Sequence, residues 1–247
     1  MDKLGKNDTG SDVTLQKILK NPELLKITNK IRTGIEGVSE RLRRLVLKNI
    51  TNQEIIDFFK LISQNGFNTA DIYMIYGLPG EKPEELEEFR MVLMKLDETL
   101  PLNFLLAIHW NAFTPSAQTP FQWEAPAFLN IEHYKKFFDS IQNKRIRIYC
   151  KPKLTSEWTI IKRMLAIRGS EASKKLLFNI ASQEGKLKKN VDFVLKEFER
   201  CEGYNLLDKL DINKPLPWDR YCIYNKEKML KVYQWFLRNK CLEKYAA

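Results

Sequence analysis

Two apolar runs of eight residues, "ADIYMIYG" ending at Gly77 and "NFLLAIHW" ending at Trp110, constrain the fold more than any other feature. Their length and their aromatic and branched content mark buried strands. A shorter run before them, "KIRTGIEG", predicts a first strand at about Ile31–Ile35, stopped by glycines. Helical patterns fill the gaps. Thr51, with Glu54 three residues later, has the form of a capping box. Ile55, Phe59 and Ile62 then share one face, and Asn65-Gly66 supplies the stop. Pro83 suits the first turn of the next helix, where Glu84 and Glu85 favour the positive end. Leu86, Phe89, Leu93 and Leu96 make its apolar stripe. Strands recurring at about 35 residues predict β/α units with parallel strands and right-handed crossovers. The expected fold class is α/β, with a partial parallel (β/α) barrel over residues 1–145.

Residues 146–247 predict a mostly α-helical C-terminal region. It follows a proline-punctuated loop, "FTPSAQTPFQWEAPAF", and a helix marked by Tyr134, Phe137, Phe138 and Ile141. Further helices are marked by Trp158 to Ile167, ended by Gly169, and by Leu176 to Ile180, ended by Gly185. Val191 to Phe198 and Lys226 to Leu237 mark two more, while Pro215 and Pro217 exclude regular helix between them. At the other end, residues 13–28 predict a short helical stretch broken at Asn21-Pro22.

The chain of 247 residues has a net charge of +10, which makes an anionic partner worth considering. The cations are dispersed, with modest clusters at "SERLRRLVLK", "NKRIRIYCKPK" and "GKLKKN", and no aromatic-basic signature interleaves them. Nucleic-acid contact is therefore left open by charge and demanded by no motif. No apolar run is long enough to cross a bilayer, and residues 1–12 lack a signal peptide's apolar stretch. A cytoplasmic location without a membrane partner is expected. Cys150, Cys201, Cys222 and Cys241 lie far apart, and His109 and His133 are the sole histidines, so no metal-ligand spacing is visible.

The turn "GLPGEKP" at Gly77–Pro83 raises the question of a phosphate cradle. A phosphate-binding loop needs lysine and then a hydroxyl residue after its last glycine. Here Glu81 brings negative charge, no hydroxyl follows, and Pro83 has no amide hydrogen. A plain strand-to-helix turn is the alternative. Ligands in such folds collect at the carboxyl ends of strands, where this turn and "GIEG" both lie.

"GIEGVSERLRRLVLKNIT", followed by "DIYMIYGLPGEKPEELEEF", resembles the radical S-adenosylmethionine superfamily. The likeness is to the subfamily that usually carries an N-terminal cobalamin-binding domain. "FTPSAQTPFQW", "LAIRGSEASKKLL" and "KPLPWDRYCIYNKEKML" are similar to that subfamily's C-terminal region, so the likeness runs from about Lys30 to about Gln234. It implies a partial parallel barrel holding a four-iron cluster and S-adenosylmethionine at its strand ends. By the same likeness Glu36 matches a polar residue near the ligand's ribose or amino group, or is simply a turn carboxylate. Ser39 adds a hydrogen bond to the ligand or caps the following helix. Lys48 matches the region of a basic residue that meets the ligand carboxylate, or is a solvated lysine. Tyr73 and Ile75 lie on the strand whose backbone edge faces adenine, or are core. Leu78 and Pro79 shape the turn after it, the adenine-side lip of a nucleoside site.

One departure from the family bears on everything else. The cluster needs three cysteine thiolates on one short loop, and no such loop occurs in this sequence. Neither the 4Fe-4S cluster nor cobalamin is then expected on this chain, and S-adenosylmethionine is expected to bind weakly. The chain reads as the C-terminal half of a radical enzyme, inactive alone and completed by a chain that carries the cluster. The alternatives are a pseudoenzyme scaffold and a basic RNA-contacting module. A homo-oligomer or a complementary chain is expected at the first strand, whose edge and neighbouring apolar lining are expected to be bare. Residues 1–30 are not expected to cover them.

Overall fold

The structure, a computed structural model, describes residues 14–127, 131–141, 146–149, 157–219 and 225–240. A parallel sheet of β1 (Ile31–Glu36), β2 (Thr69–Tyr76), β3 (Leu105–Ala112) and β4 (Ile146–Tyr149) lies in chain order. Helices α2 (Glu40–Leu45), α3 (Asn52–Gln64), α4 (Glu85–Thr99) and α5 (Ile131–Ile141) connect the strands. The α/β class with parallel strands is thus observed. β4 falls within a stretch read from sequence as a basic cluster in a helical region. Its Ile146 pairs with Leu106 of β3, so the sheet runs across the division at residue 145.

Local chemistry accounts for the element ends. Thr51 and Glu54 form the reciprocal capping box at the start of α3, and Asn65 closes it before Gly66 at φ +85°. Ser39 caps α2 by accepting the Leu42 amide. Gly169 follows the last residue of α6 (Glu157–Arg168), where a Cβ would lie 2.7 Å from the Leu165 carbonyl. Gly185, expected to end the next helix, instead lies inside α7 (Lys174–Leu187), whose break is at Gln183 with φ −130°.

One face of the sheet is dry. Ile31, Thr33, Ile35, Ile72, Met74, Tyr76, Ile108 and Trp110 are buried beneath the helices. Trp110 lies against Phe89 of α4 and Phe138 of α5, with ring centroids 5.6 Å and 4.8 Å apart. Burying such a side chain contributes roughly 1.5–3 kcal/mol. The opposite face, expected to be bare and apolar, carries half-buried Arg32, Asp71, Tyr73, His109 and Asn111. The period-two alternation of a strand sends these residues away from the helices.

The segment before β1 forms the short helical stretch broken at Asn21-Pro22 that the sequence predicts. Helix α1 (Leu15–Lys20) and a 3₁₀ turn at Pro22–Ile27 fold back on α3, burying Leu15, Ile18 and Leu25. Thr14, Leu15 and Gln16 wall a cleft beside β1. β1 is nevertheless the edge strand.

Helices α6, α7, α8 (Val191–Glu202) and α9 (Lys226–Asn239) share one continuous core with the sheet layer. The loop at residues 121–124 ties them in. Phe121 meets Phe236 at 4.9 Å, and Glu124 accepts from Tyr233 at 2.7 Å and Lys209 at 2.9 Å. The fully buried Arg168 donates to the carbonyls of Glu124 at 2.6 Å and Leu206 at 2.8 Å. No helix among the described residues is long and apolar enough to cross a membrane.

A buried ion pair joins the two turns at the carboxyl ends of β1 and β2. Arg41 meets both oxygens of Glu85 at 2.9 Å, with both side chains 8% exposed. Glu85 also accepts from the Ser39 hydroxyl and the Lys82 amide, while Arg41 reaches the Gly80 carbonyl at 2.6 Å and that of Lys240 at 3.0 Å. Glu85→Ala leaves that guanidinium buried without its counter-ion. Urea unfolding is expected to show a loss of about 3–5 kcal/mol, and a loss below 1 kcal/mol contradicts the central place given to this pair.

Candidate functional site

The carboxyl end of β1 is irregular where the candidate site begins. Gly34 faces Tyr73 across the ladder and Glu36 faces Met74, so Ile35 is an extra residue. Glu36 has φ +69°, and the Gly37 amide donates to the Ile35 carbonyl at 3.0 Å. This is a γ-turn of the strained hand, and a non-glycine residue in this region of conformational space costs on the order of 1–3 kcal/mol. Arg43 holds it there. Fully buried, it donates to the Gly37 carbonyl at 3.0 Å, the Ile50 carbonyl at 2.7 Å and the Asn52 side chain. Burial pulls its pKa down to about 10, so the charge persists at neutral pH.

The turn sends the Glu36 carboxylate to the ammonium of Lys48 at 2.9 Å, and Lys48 also donates to the Gly34 carbonyl at 3.1 Å. Tyr73 stacks on His109, with centroids 4.8 Å apart and planes 17° from parallel. Two clefts open at these strand ends, one of about 700 Å³ and one of about 600 Å³, and Glu36 and Tyr73 line both. Lys48 lines the first, Ile75 the second. Past Met74, which faces the last residue of β1, Ile75 has no partner on that strand.

The structure therefore brings Glu36, Lys48, Tyr73 and Ile75 together. It places Ser39 elsewhere: fully buried, its hydroxyl is engaged by Glu85 and the Leu42 amide, which is the capping alternative. Leu78 is buried, and neither it nor Pro79 lines these clefts.

The turn after β2 cradles its own carboxylate. Glu81 accepts from the amides of Gly77 at 3.0 Å and Leu78 at 3.2 Å, where a phosphate loop would present donors to a ligand. Gly77 and Gly80 sit at φ +68° and +84°, and a Cβ on Gly77 would lie 2.4 Å from that of Ala127. Those glycines serve the chain path. Tyr134 of α5 donates its hydroxyl to the other Glu81 oxygen. Burial is the main cause that pushes the Glu81 carboxyl up to about 7, against these hydrogen bonds.

Sequence reasoning missed three features on the open face. Asp71 lies 2.9 Å from Lys30, 3.7 Å from Arg32 and 3.2 Å from His109. Burial alone raises its carboxyl, but hydrogen bonds from Lys30 and His109 outweigh that and leave it below its ordinary value. Asn111 and Arg163 line the second cleft. The signal was available: Asp71 and His109 interrupt apolar runs at the outward phase, and Arg163 interrupts the apolar spacing of Ile160 and Ile167. Among the described residues no three His, Cys, Asp or Glu side chains converge as metal ligands, and Cys201 is a free thiol. Cys150, Cys222 and Cys241 lie outside the described residues.

No protein-family model, no curated protein and no solved structure matches the chain. The likeness to the radical S-adenosylmethionine superfamily is carried by the quoted motifs alone.

Strain at Glu36 sets an unusual order of stabilities. Both Glu36→Gly and Glu36→Ala remove the contact with Lys48, and only glycine relieves the positive φ. The glycine variant is expected to be the more stable by about 1 kcal/mol in chemical denaturation; the reverse order, normal for a strand, refutes the strained turn. Glu81 gives a pH test. Its folded pKa of about 7 exceeds the ordinary 4.5, so its contribution is full below the lower value and is lost as pH rises through the higher. Glu81→Gln mimics the protonated acid and does not titrate. Its melting temperature relative to the unsubstituted protein should climb between these pH values, and a flat difference excludes the shift.

Proposed function

We propose that the chain is the nucleoside- and substrate-side half of a radical S-adenosylmethionine barrel, with the iron–sulfur cluster supplied from outside this sequence. A separate chain and a further stretch of the same polypeptide are both compatible sources. The reading rests on one observation above the rest. Glu36, held in a strained turn, stands between two clefts at the carboxyl ends of parallel strands, bonded to Lys48 and beside Tyr73.

These residue types suit the ligand. A carboxylate accepts from ribose hydroxyls, an ammonium meets an amino-acid carboxylate, and the Tyr73 ring with Ile75 offers apolar surface to a base. When bound beside a reduced cluster, S-adenosylmethionine supplies a carbon radical; the residues here would hold its nucleoside and tail. The cluster itself does not fit the described residues, which offer no convergent ligand set. Strands in chain order with helices on one face are what an arc of a barrel requires. The edge of β1, which has no strand beside it among the described residues, is where an adjoining strand, from a complementary chain or a second copy, would pair.

One observation favours the second reading, a pseudoenzyme scaffold. At 2.9 Å, Glu36 and Lys48 already satisfy each other. Titration of S-adenosylmethionine followed by amide chemical shifts separates the two. The enzyme-half reading expects shifts at Glu36, Lys48 and Tyr73 with an affinity near millimolar, roughly −4 kcal/mol, and at least a tenfold loss in Glu36→Ala. Absence of any shift at millimolar ligand favours the scaffold. Submicromolar binding indifferent to Glu36 overturns the site.

A further inference from the structure

The second cleft contains a cation that the nucleoside reading leaves unused. Arg163 projects from α6 into the space of about 600 Å³ beyond the ends of β2 and β3. It is half-buried, and among the described residues its guanidinium has no hydrogen-bond or ion-pair partner. Arg41 is engaged by Glu85, and Arg43 and Arg168 by backbone carbonyls, while Arg32 lies 3.7 Å from Asp71 with its Nε unbonded. No guanidinium nitrogen of Arg163 is buried without a partner, so the head group is open to water and to a ligand entering the cleft.

Its surroundings define what it would take. Asn111 lines the same cleft from β3, and its side-chain amide makes no hydrogen bond among the described residues. Ile75, Phe121 and Ile167 form the apolar part of the wall, and Thr114, Ser116 and Thr119 add hydroxyl residues to the lining. The Glu36 carboxylate, which also borders the cleft, is neutralised by Lys48. A planar guanidinium with an amide donor beside it matches the paired oxygens of a carboxylate or phosphate, and the apolar wall matches a compact hydrocarbon or aromatic body.

We propose that this cleft binds an organic acid, a carboxylate or phosphate monoester on a small apolar body, with Arg163 as the anchor of its oxyanion and Asn111 as a second donor. The proposal rests on the nucleoside site above and names the substrate class that would lie beside it.

Benzoate and phenyl phosphate serve as probes, with neutral benzamide as control, each titrated into the full chain while amide and arginine side-chain resonances are followed. Expected are shifts at Asn111, Phe121 and Arg163 for the two anions, and binding of benzamide weaker by roughly tenfold or more, the scale of a charge-assisted hydrogen bond. The stronger of the two anions identifies the head group. Arg163→Gln should lower anion affinity by the same factor, with Arg163→Lys between. Equal binding of benzoate and benzamide by the unsubstituted protein overturns the proposal without recourse to any variant. So do anion shifts confined to other surfaces, or no shifts at all. S-adenosylmethionine titrated in parallel keeps the two ideas apart. If its shifts at Glu36 and Lys48 persist while the anions fail, the organic-acid site falls and the nucleoside site stands; the opposite pattern removes the nucleoside reading alone.

Discussion

The Arg41–Glu85 pair is the contact on which the arrangement of the strand ends depends. Glu85 lies at the start of α4, and it gathers the Ser39 hydroxyl, the Arg41 guanidinium and the Lys82 amide. Arg41 in turn reaches back to the Gly80 carbonyl and across to Lys240, just past α9. Two turns distant in sequence, one after β1 and one after β2, are thereby locked together, and the C-terminal helix is fastened to both. A buried ion pair adds little net stability against an apolar substitute, but each partner is ruinous without the other. What it does supply is direction, since bidentate geometry fixes where each turn sits.

Much of this was legible in the chain. The capping box at Thr51–Glu54, the stop at Asn65-Gly66 and the strands before Gly77 and Trp110 are encoded within a few residues. Local signals of that kind do not depend on what packs where. β4 escaped because four residues, "IRIY", between cations carry too little alternation to outweigh a charge cluster. Gly185 misled because α7 breaks two residues earlier, at Gln183, so the glycine is not the place where the chain turns. At the site, Glu36, Lys48, Tyr73 and Ile75 could be named from sequence, whereas Arg163 showed only as a break in an apolar spacing. Its place beside the strand ends arises only in the fold, where α6 and the ends of β2 and β3 line one cleft.

The open face of the sheet follows from the same alternation that makes the core. Every second residue of β2 faces the helices, and the intervening Asp71, Tyr73 and Ile75 face away. An apolar residue at Asp71 and His109 would have made that face a bare patch, prone to association. Instead a carboxylate there collects Lys30, Arg32 and His109 into one network. The face is therefore tolerable in water and also able to meet a polar partner, so the case for an adjoining strand rests on the edge of β1 and not on exposed hydrocarbon.

Strain at Glu36 then has to be read against what surrounds it. Arg43 is wholly buried and spends its donors on the Gly37 carbonyl, the Ile50 carbonyl and Asn52. A fold selected only for stability would place glycine at a positive φ and an apolar side chain where Arg43 lies, avoiding both the backbone strain and the desolvation of a guanidinium. Gly77 and Gly80 occupy positive φ in the next turn, whereas Leu47 and Gln118 are, like Glu36, non-glycine residues at positive φ. At residue 36 the side chain is kept although its backbone is unfavourable, and its carboxylate borders both clefts. Position 36 differs from Leu47 and Gln118 in that its side chain is an ion-paired carboxylate bordering both clefts, and Arg43 holds the turn that puts it there. The strained turn serves the Lys48 ion pair directly, and the ligand site proposed above builds on that same carboxylate.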